Sequence, residues 1–264
     1  MRRFLRSGLS AALVTAATTV VVVAATQPFA SAGVPAATAA APAPARVDVV
    51  GFGDSVPLGK HCGGCGDLFT LYARSVAAPG ASVHVVNLAK GNTTSSDALR
   101  TMRKSSSEAA IRQATTVVIF TGADDVESAW RKVSKGASAK KNYKPVENKV
   151  RSNVEKMIDL AHSLNSRAQV AVLDYWGAVE DGDVAKHDYT KAQRTAAASA
   201  TDYVNKALAG AARHSHAVFV STYHLFKGPH GTKNPTKYLA ADGNHPNAAG
   251  MHAITAALVS ALRG

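Results

Sequence analysis

Cysteine is almost missing from this chain: two residues in 264, Cys62 and Cys65, three positions apart. That pair cannot build a structural zinc centre, because even with His61 beside it the set falls short of four ligands. A disulfide clipping a tight loop around Gly63-Gly64 is the simplest use of two nearby cysteines in an exported protein. A thioredoxin-like C-x-x-C is the distant alternative. Acidic residues are also scarce, 18 against 30 Lys and Arg, giving a formal net charge of +12. Aromatics make up only 6% and are not interleaved with the basic residues, so no stacking platform for nucleic acid is offered. The positive excess suits anionic surroundings instead, such as wall polymers, acidic glycans or anionic lipid. No internal repeat is visible.

One stretch is apolar enough to suggest a membrane span, Leu9 to Ala25, but Thr15, Thr18 and Thr19 interrupt it. Arg2, Arg3 and Arg6 precede it, and Pro28 and the small-x-small site Ala30-Ser31-Ala32 follow. Residues 1–32 therefore read as an export signal, which predicts a secreted, extracellular protein with no transmembrane segment after processing. Arg6 spoils a twin-arginine reading, and no cysteine follows the cut to carry a lipid. Because residues 1–32 hold three arginines, no lysine and no acid, cleavage lowers the net charge from +12 to +9. Residues 33–45 are almost entirely Ala and Pro and read as a tether. Residues 46–264 suit one domain with a full-sized core.

Within that domain, apolar runs of strand length recur at Val47–Phe52, Val83–Leu88, Thr116–Thr121, Gln169–Leu173 and Ala217–Ser221. Between them lie helical patterns. Val146, Val150, Val154, Met157, Ile158, Ala161 and Leu164 form a stripe at steps of three and four. The Ala-rich stretch Arg194 to Arg213 and a last helix from near Asn247 to Leu262 follow the same rule, with Pro246 and Asn247 as a start signal. Alternating strands and helices predict a flavodoxin-like three-layer α/β/α sandwich around a five-stranded parallel sheet. In such a fold the ends of strands one and three and the loop before the final helix meet at the carboxyl edge of the sheet. Ser55, Asp124 and His245 fall at those places.

Two segments carry candidate chemistry. Gly53-Asp54-Ser55 puts a hydroxyl at the end of the first strand, and Asp242-Gly243-Asn244-His245 puts a carboxylate and an imidazole on one loop. A serine attacks a carbonyl usefully only when an imidazole takes its proton and a third group fixes the imidazole's tautomer. Ser55, His245 and Asp242 are the candidates for those three roles. The G-x-S-x-G elbow of α/β-hydrolases is absent, since Pro57 stands where the second glycine belongs. Arg131 to Arg151 carries eight basic residues and Glu147 as its only acid, a solvated face or else a basic flap over the cleft.

The chain resembles the SGNH, or GDSL, hydrolase superfamily, and its exported bacterial members in particular. Gly53-Asp54-Ser55 is similar to the first block of that family, with Val56 in place of leucine. Asn87-Leu88-Ala89-Lys90-Gly91 is similar to the second, and Asp242 to Asn247 to the last. Asp174-Tyr175-Trp176 and Glu180 to Asp183 also look like exported members. The resemblance covers residues 46 to 262. It implies hydrolysis of carboxylic esters (lipid, small acyl ester or acetylated glycan) without cofactor or metal, through an acyl-enzyme on Ser55. It also implies an oxyanion hole from the N–H groups of Ser55 and Gly91 and a side chain in the third block. There the family has Gly-x-Asn-Asp, whereas this chain has Gly122-Ala123-Asp124-Asp125. An ionised Asp124 has no donor for the oxyanion; a protonated one has. The alternative that Asp124 opens is a catalytically weak protein of the same fold that binds cell-wall glycan or acidic polymer.

Overall fold

Five strands form where the apolar runs predict them: β1 (Arg46–Gly53), β2 (Ser82–Asn87), β3 (Thr116–Phe120), β4 (Gln169–Leu173) and β5 (Val218–Val220). They belong to a computed structural model that describes residues 46–263, so the expected export signal and tether lie outside the described residues. All neighbouring strands pair in parallel in the order β2-β1-β3-β4-β5. The chain leaves β1 toward β2 and then returns to the other side of β1. That reversal opens a crevice between the carboxyl ends of β1 and β3. The central strands are buried along almost their whole length, whereas β2 at the edge is largely exposed. Continuous rather than alternating apolar runs in β1, β3 and β4 follow from burial on both faces.

The helices are α1 (Leu68–Val76), α2 (Ser95–Met102), α3 (Ser105–Gln113), α4 (Glu127–Val133), α5 (Ala139–Leu164), α6 (Gly182–Asp188), α7 (Lys191–His214), α8 (Thr222–Lys227) and α9 (Ala248–Arg263). Helices cover both sides of the sheet, with α1 against α9 in one layer and α2, α4 and α7 against α5 in the other. The α5–α7 contact is the most extensive. Val150, Val154, Met157, Ile158 and Ala161 of α5 are wholly buried there, as are Ala200, Val204, Ala207, Leu208 and Ala211 of α7. Alanines on that α7 face let the two helices approach closely.

Local differences from the sequence reading have physical causes. α5 starts at Ala139, before Pro145, because Tyr143 is fully buried and donates its hydroxyl to the Ala196 carbonyl at 2.9 Å. That anchor offsets the backbone hydrogen bond a proline removes. The basic segment 131–151 is therefore α4 and the first half of α5, packed on α7. β5 is shorter than its apolar run because Ser221 serves as N-cap of α8, accepting the His224 N–H at 3.3 Å.

Candidate active site

Gly53 ends β1, and a Cβ there would meet the Phe120 carbonyl and Pro57 at 2.6 Å, so only glycine lets the chain turn so close to β3. The turn delivers Ser55 to the carboxyl edge of the sheet, partly exposed and with no side-chain cap on the short helical turn it precedes. The loop before α9 arrives from the other side. Asp242 Oδ1 accepts the N–H groups of Asn244 and His245, both at 2.9 Å. Asn247 ties the loop down by donating to the carbonyls of Lys237 and Leu239 and accepting the Gly250 N–H. As a result His245 Nε2 lies 2.8 Å from Ser55 Oγ, and His245 Nδ1 lies 2.7 Å from Asp242 Oδ2. The structure thus brings together the three residues singled out from sequence, across a separation of 190 positions. Burial works to raise Asp242, but the hydrogen bonds from His245 and Asn244 outweigh it and hold the carboxyl below its ordinary value. It is therefore an anion that prefers His245 with its proton on Nδ1 and a free Nε2 lone pair toward Ser55.

Gly91 packs directly against Ser55: a Cβ on Gly91 would touch Ser55 Cβ at 3.5 Å. Among the described residues, neither the Ser55 nor the Gly91 N–H donates to another protein group. Gly122 adopts φ +133°, which only glycine takes without strain, and starts the turn that carries Asp124. Asp124 is half-buried, and burial is the main cause of its raised pKa; the N–H of Thr93 opposes the rise, while Asp125 and Glu127 add to it. Asp124 Oδ2 is buried with no hydrogen-bond partner. Asp125 has a different task. Its carboxylate accepts the N–H of Ser95 at 2.6 Å and the Ser95 hydroxyl at 3.0 Å, fixing the start of α2.

Three residues matter more than the sequence reading allowed. Asp54 is buried beneath Ser55, takes the Val56 N–H at 3.0 Å and receives the hydroxyl of Tyr175 in a short hydrogen bond. Burial pushes its carboxyl up to about 7, with the neighbouring Asp124 adding to the rise. Tyr175, the second, is fully buried in the core beside Trp176. His61 is the third. Its ring stacks on that of His245 with centroids 4.0 Å apart and planes within 9°, and its Nδ1 lies 3.1 Å from Asp242 Oδ2. Only its place beside Cys62 could have hinted at this. Cys62 and Cys65 sit at disulfide distance, with Cα atoms 5.6 Å apart.

His61, Asp242 and His245 are the one group among the described residues whose donor atoms lie close enough together to hold a metal ion. Their geometry is wrong for one as it stands. A metal takes an imidazole lone pair in the ring plane, and two parallel rings 4.0 Å apart cannot both aim at a single ion.

Comparison with known proteins agrees with this architecture. The chain is similar to a lipase from a goat rumen metagenome, with 17% identity and a TM-score of 0.63 over 83% of this chain and 98% of that one. It is similar to an extracellular lipase from Streptomyces rimosus, at 20% identity and a TM-score of 0.61 over 81% and 99%. It is also similar to an acetylxylan esterase from Geobacillus stearothermophilus, at 18% identity and a TM-score of 0.55 over 81% and 93%. No curated protein sequence matches it. At such identities these likenesses speak for the fold. Residues 52–253 match the profile of the GDSL-like lipase/acylhydrolase family, and with over half the chain covered, this protein belongs to that family.

Proposed function

We propose that this protein is an exported serine esterase in which Ser55, His245 and Asp242 form the catalytic triad. The observation that carries the reading is the unbroken relay from Ser55 Oγ to His245 Nε2 and from His245 Nδ1 to Asp242 Oδ2. Ser55 Oγ attacks the ester carbonyl carbon while its proton passes to His245 Nε2. The tetrahedral oxyanion is held by the N–H groups of Ser55 and Gly91, which have no other protein acceptor among the described residues. As the carbon–oxygen bond to the alcohol breaks, His245 returns the proton to the leaving alkoxide. Water, deprotonated in turn by His245, then attacks the acyl-enzyme and frees the acid and Ser55. Neither metal nor organic cofactor is called on at any step.

Asp124 joins the oxyanion hole as a carboxylic acid. Its Oδ2 is buried and unpartnered, a position that favours a proton over a bare charge. This is the role of a neutral carboxylic acid that donates to a developing anion. Should Asp124 be ionised at the working pH, the same residue supports the second reading, a weak catalyst that binds anionic polymer. The exposed cluster Lys132, Lys135, Lys140 and Lys141 on α4, α5 and the turn between them offers such a polymer a surface.

Export is supported by two features: the charged head, apolar run and small-x-small site of residues 1–32, and the paired cysteines. A fluorophosphonate probe tests the central claim. Labelling of the wild type and none of Ser55→Ala is expected, whereas an unlabelled but folded wild type would favour the binder.

A further inference from the structure

We propose that His61 is a positioning residue for the catalytic pair His245–Asp242, and that the Cys62–Cys65 bridge acts on catalysis by holding His61 in place. The inference rests on the triad reading above and adds a residue that the reaction itself does not consume.

The hydrogen bond between His245 and Asp242 lies close to the surface. The Asp242 side chain is 32% exposed and that of His245 15% exposed. His61 covers this pair: its ring lies flat against the imidazole, and its Nδ1 sits 3.1 Å from the carboxylate oxygen that His245 uses. That oxygen lies on the edge of the His245 ring and so out of the plane of the parallel His61 ring. The His61 contact is therefore stacking and charge–dipole in nature, not a second in-plane hydrogen bond. A flat ring there does two things. It keeps the imidazole from rotating about its χ angles, and it keeps water from competing for Asp242 Oδ2. A stacked ring also favours the imidazolium that forms when His245 takes the Ser55 proton, because a cation over an aromatic face is attracted to it.

His61 is itself 45% exposed, so burial does not hold it. The loop does. Gly59 and Gly66 lie against each other, so close that a Cβ on Gly59 would overlap the Gly66 carbonyl, and the Cys62 N–H bonds the Gly59 carbonyl at 3.3 Å. Cys62, next to His61, is packed into the core, and the bridge to Cys65 closes the segment. A loop of eight residues, four of them glycine (Gly59, Gly63, Gly64 and Gly66), would otherwise have wide conformational freedom. The bridge removes that freedom at the residue adjoining the stack.

Three variants and two readouts test this. His61→Ala removes the ring, His61→Phe keeps a flat ring but no nitrogen, and Cys62→Ser/Cys65→Ser frees the loop. Kinetics on an activated short-chain ester should show kcat falling roughly three- to tenfold in His61→Ala with KM little changed, the range expected for one aromatic stacking contact. His61→Phe should recover most of that loss. The cysteine variant should lose a similar factor alone and almost nothing further in the His61→Ala background, since two changes on one path are not additive. The low-field proton NMR signal of His245 Nδ1–H should exchange with water faster in His61→Ala than in wild type or His61→Phe. Unchanged kcat and exchange in His61→Ala would overturn the proposal, as would a His61→Phe as impaired as His61→Ala. Equal losses from the cysteine change in both backgrounds would overturn the part assigned to the bridge. If the cysteine variant does not fold, the two His61 variants still decide the stack. If the wild type takes no fluorophosphonate and cleaves no ester, the triad reading fails by itself, and the exchange of the His245 proton still judges His61.

Discussion

Replacing Asp124 with asparagine exchanges one carboxyl oxygen for an amide nitrogen at the residue proposed to complete the oxyanion hole. Asp124 sits where burial disfavours a charge. Burial raises its pKa first of all, Asp125 and Glu127 raise it further, and the Thr93 N–H compensates only in part. A carboxyl raised in the folded state is neutral on the low-pH side and loses its proton as pH climbs through its folded value. While neutral it donates an O–H from the unpartnered Oδ2; once ionised it donates nothing and repels the oxyanion. A single oxyanion donor is worth about 2.7–4 kcal/mol, or roughly 100- to 1,000-fold in kcat. Wild-type kcat/KM should therefore fall as pH rises through the folded value of Asp124, which burial has raised. Asp124→Asn keeps the donor at every pH. It should match the wild type where Asp124 is protonated, remove that fall, and exceed the wild type by a factor approaching 100 where Asp124 is ionised. The assay is kcat/KM against pH for both proteins on an activated short-chain ester, with far-UV circular dichroism to check the fold. An Asn variant no faster than wild type at any pH, with the fold intact, would mean that Asp124 does not face the oxyanion.

Ser55→Ala and His245→Ala should each lower kcat by on the order of 10⁵–10⁶, and Asp242→Ala by about 10⁴, because Asp242 orients and stabilises the imidazole without taking the proton. A wild type that cleaves activated esters beside a fully active Ser55→Ala would refute the nucleophile. Asp54 has a folded pKa of about 7 against an ordinary 3.8, so its contribution to stability is complete below about pH 4 and lost as pH rises through about 7. The difference of about three pKa units corresponds to roughly 4 kcal/mol, and chemical denaturation at several pH values should show wild-type stability declining across that window and Asp54→Asn largely free of the decline. Alkylation of native protein without reductant, followed by intact mass, should find neither Cys62 nor Cys65 modified; two adducts would refute the bridge.

Much of this protein is legible along the chain because the interactions that specify it are local or repetitive. A strand buried on both faces needs an unbroken apolar run, so β1, β3 and β4 announce themselves. A helix covering one face needs a stripe at three and four, so α5, α7 and α9 do the same. Strand–helix alternation with right-handed crossovers then leaves few topologies, and the observed sheet order belongs to them. Asp242 and His245 could be paired from sequence because one loop of four residues holds both. Other features depend on which distant side chains share a volume, and no local pattern encodes that. Tyr143 carries α5 back past Pro145 by reaching Ala196, 53 positions away. Asp54 and Tyr175 meet across 121 positions, which turns an apparent motif residue into a buried acid held near pH 7. Asp125, adjacent to Asp124, turns away from the site to hold Ser95 and leaves Asp124 alone with an unpaired oxygen. His61 rests on His245 because a closed loop after β1 and a tied-down loop before α9 arrive at the same edge of the sheet. The sequence by itself determined which elements form and which residues could do chemistry, since propensity and periodicity act within a few residues. Only the tertiary structure decided which of those residues are dry, charged or in contact, since desolvation and Coulomb interactions depend on neighbours in space.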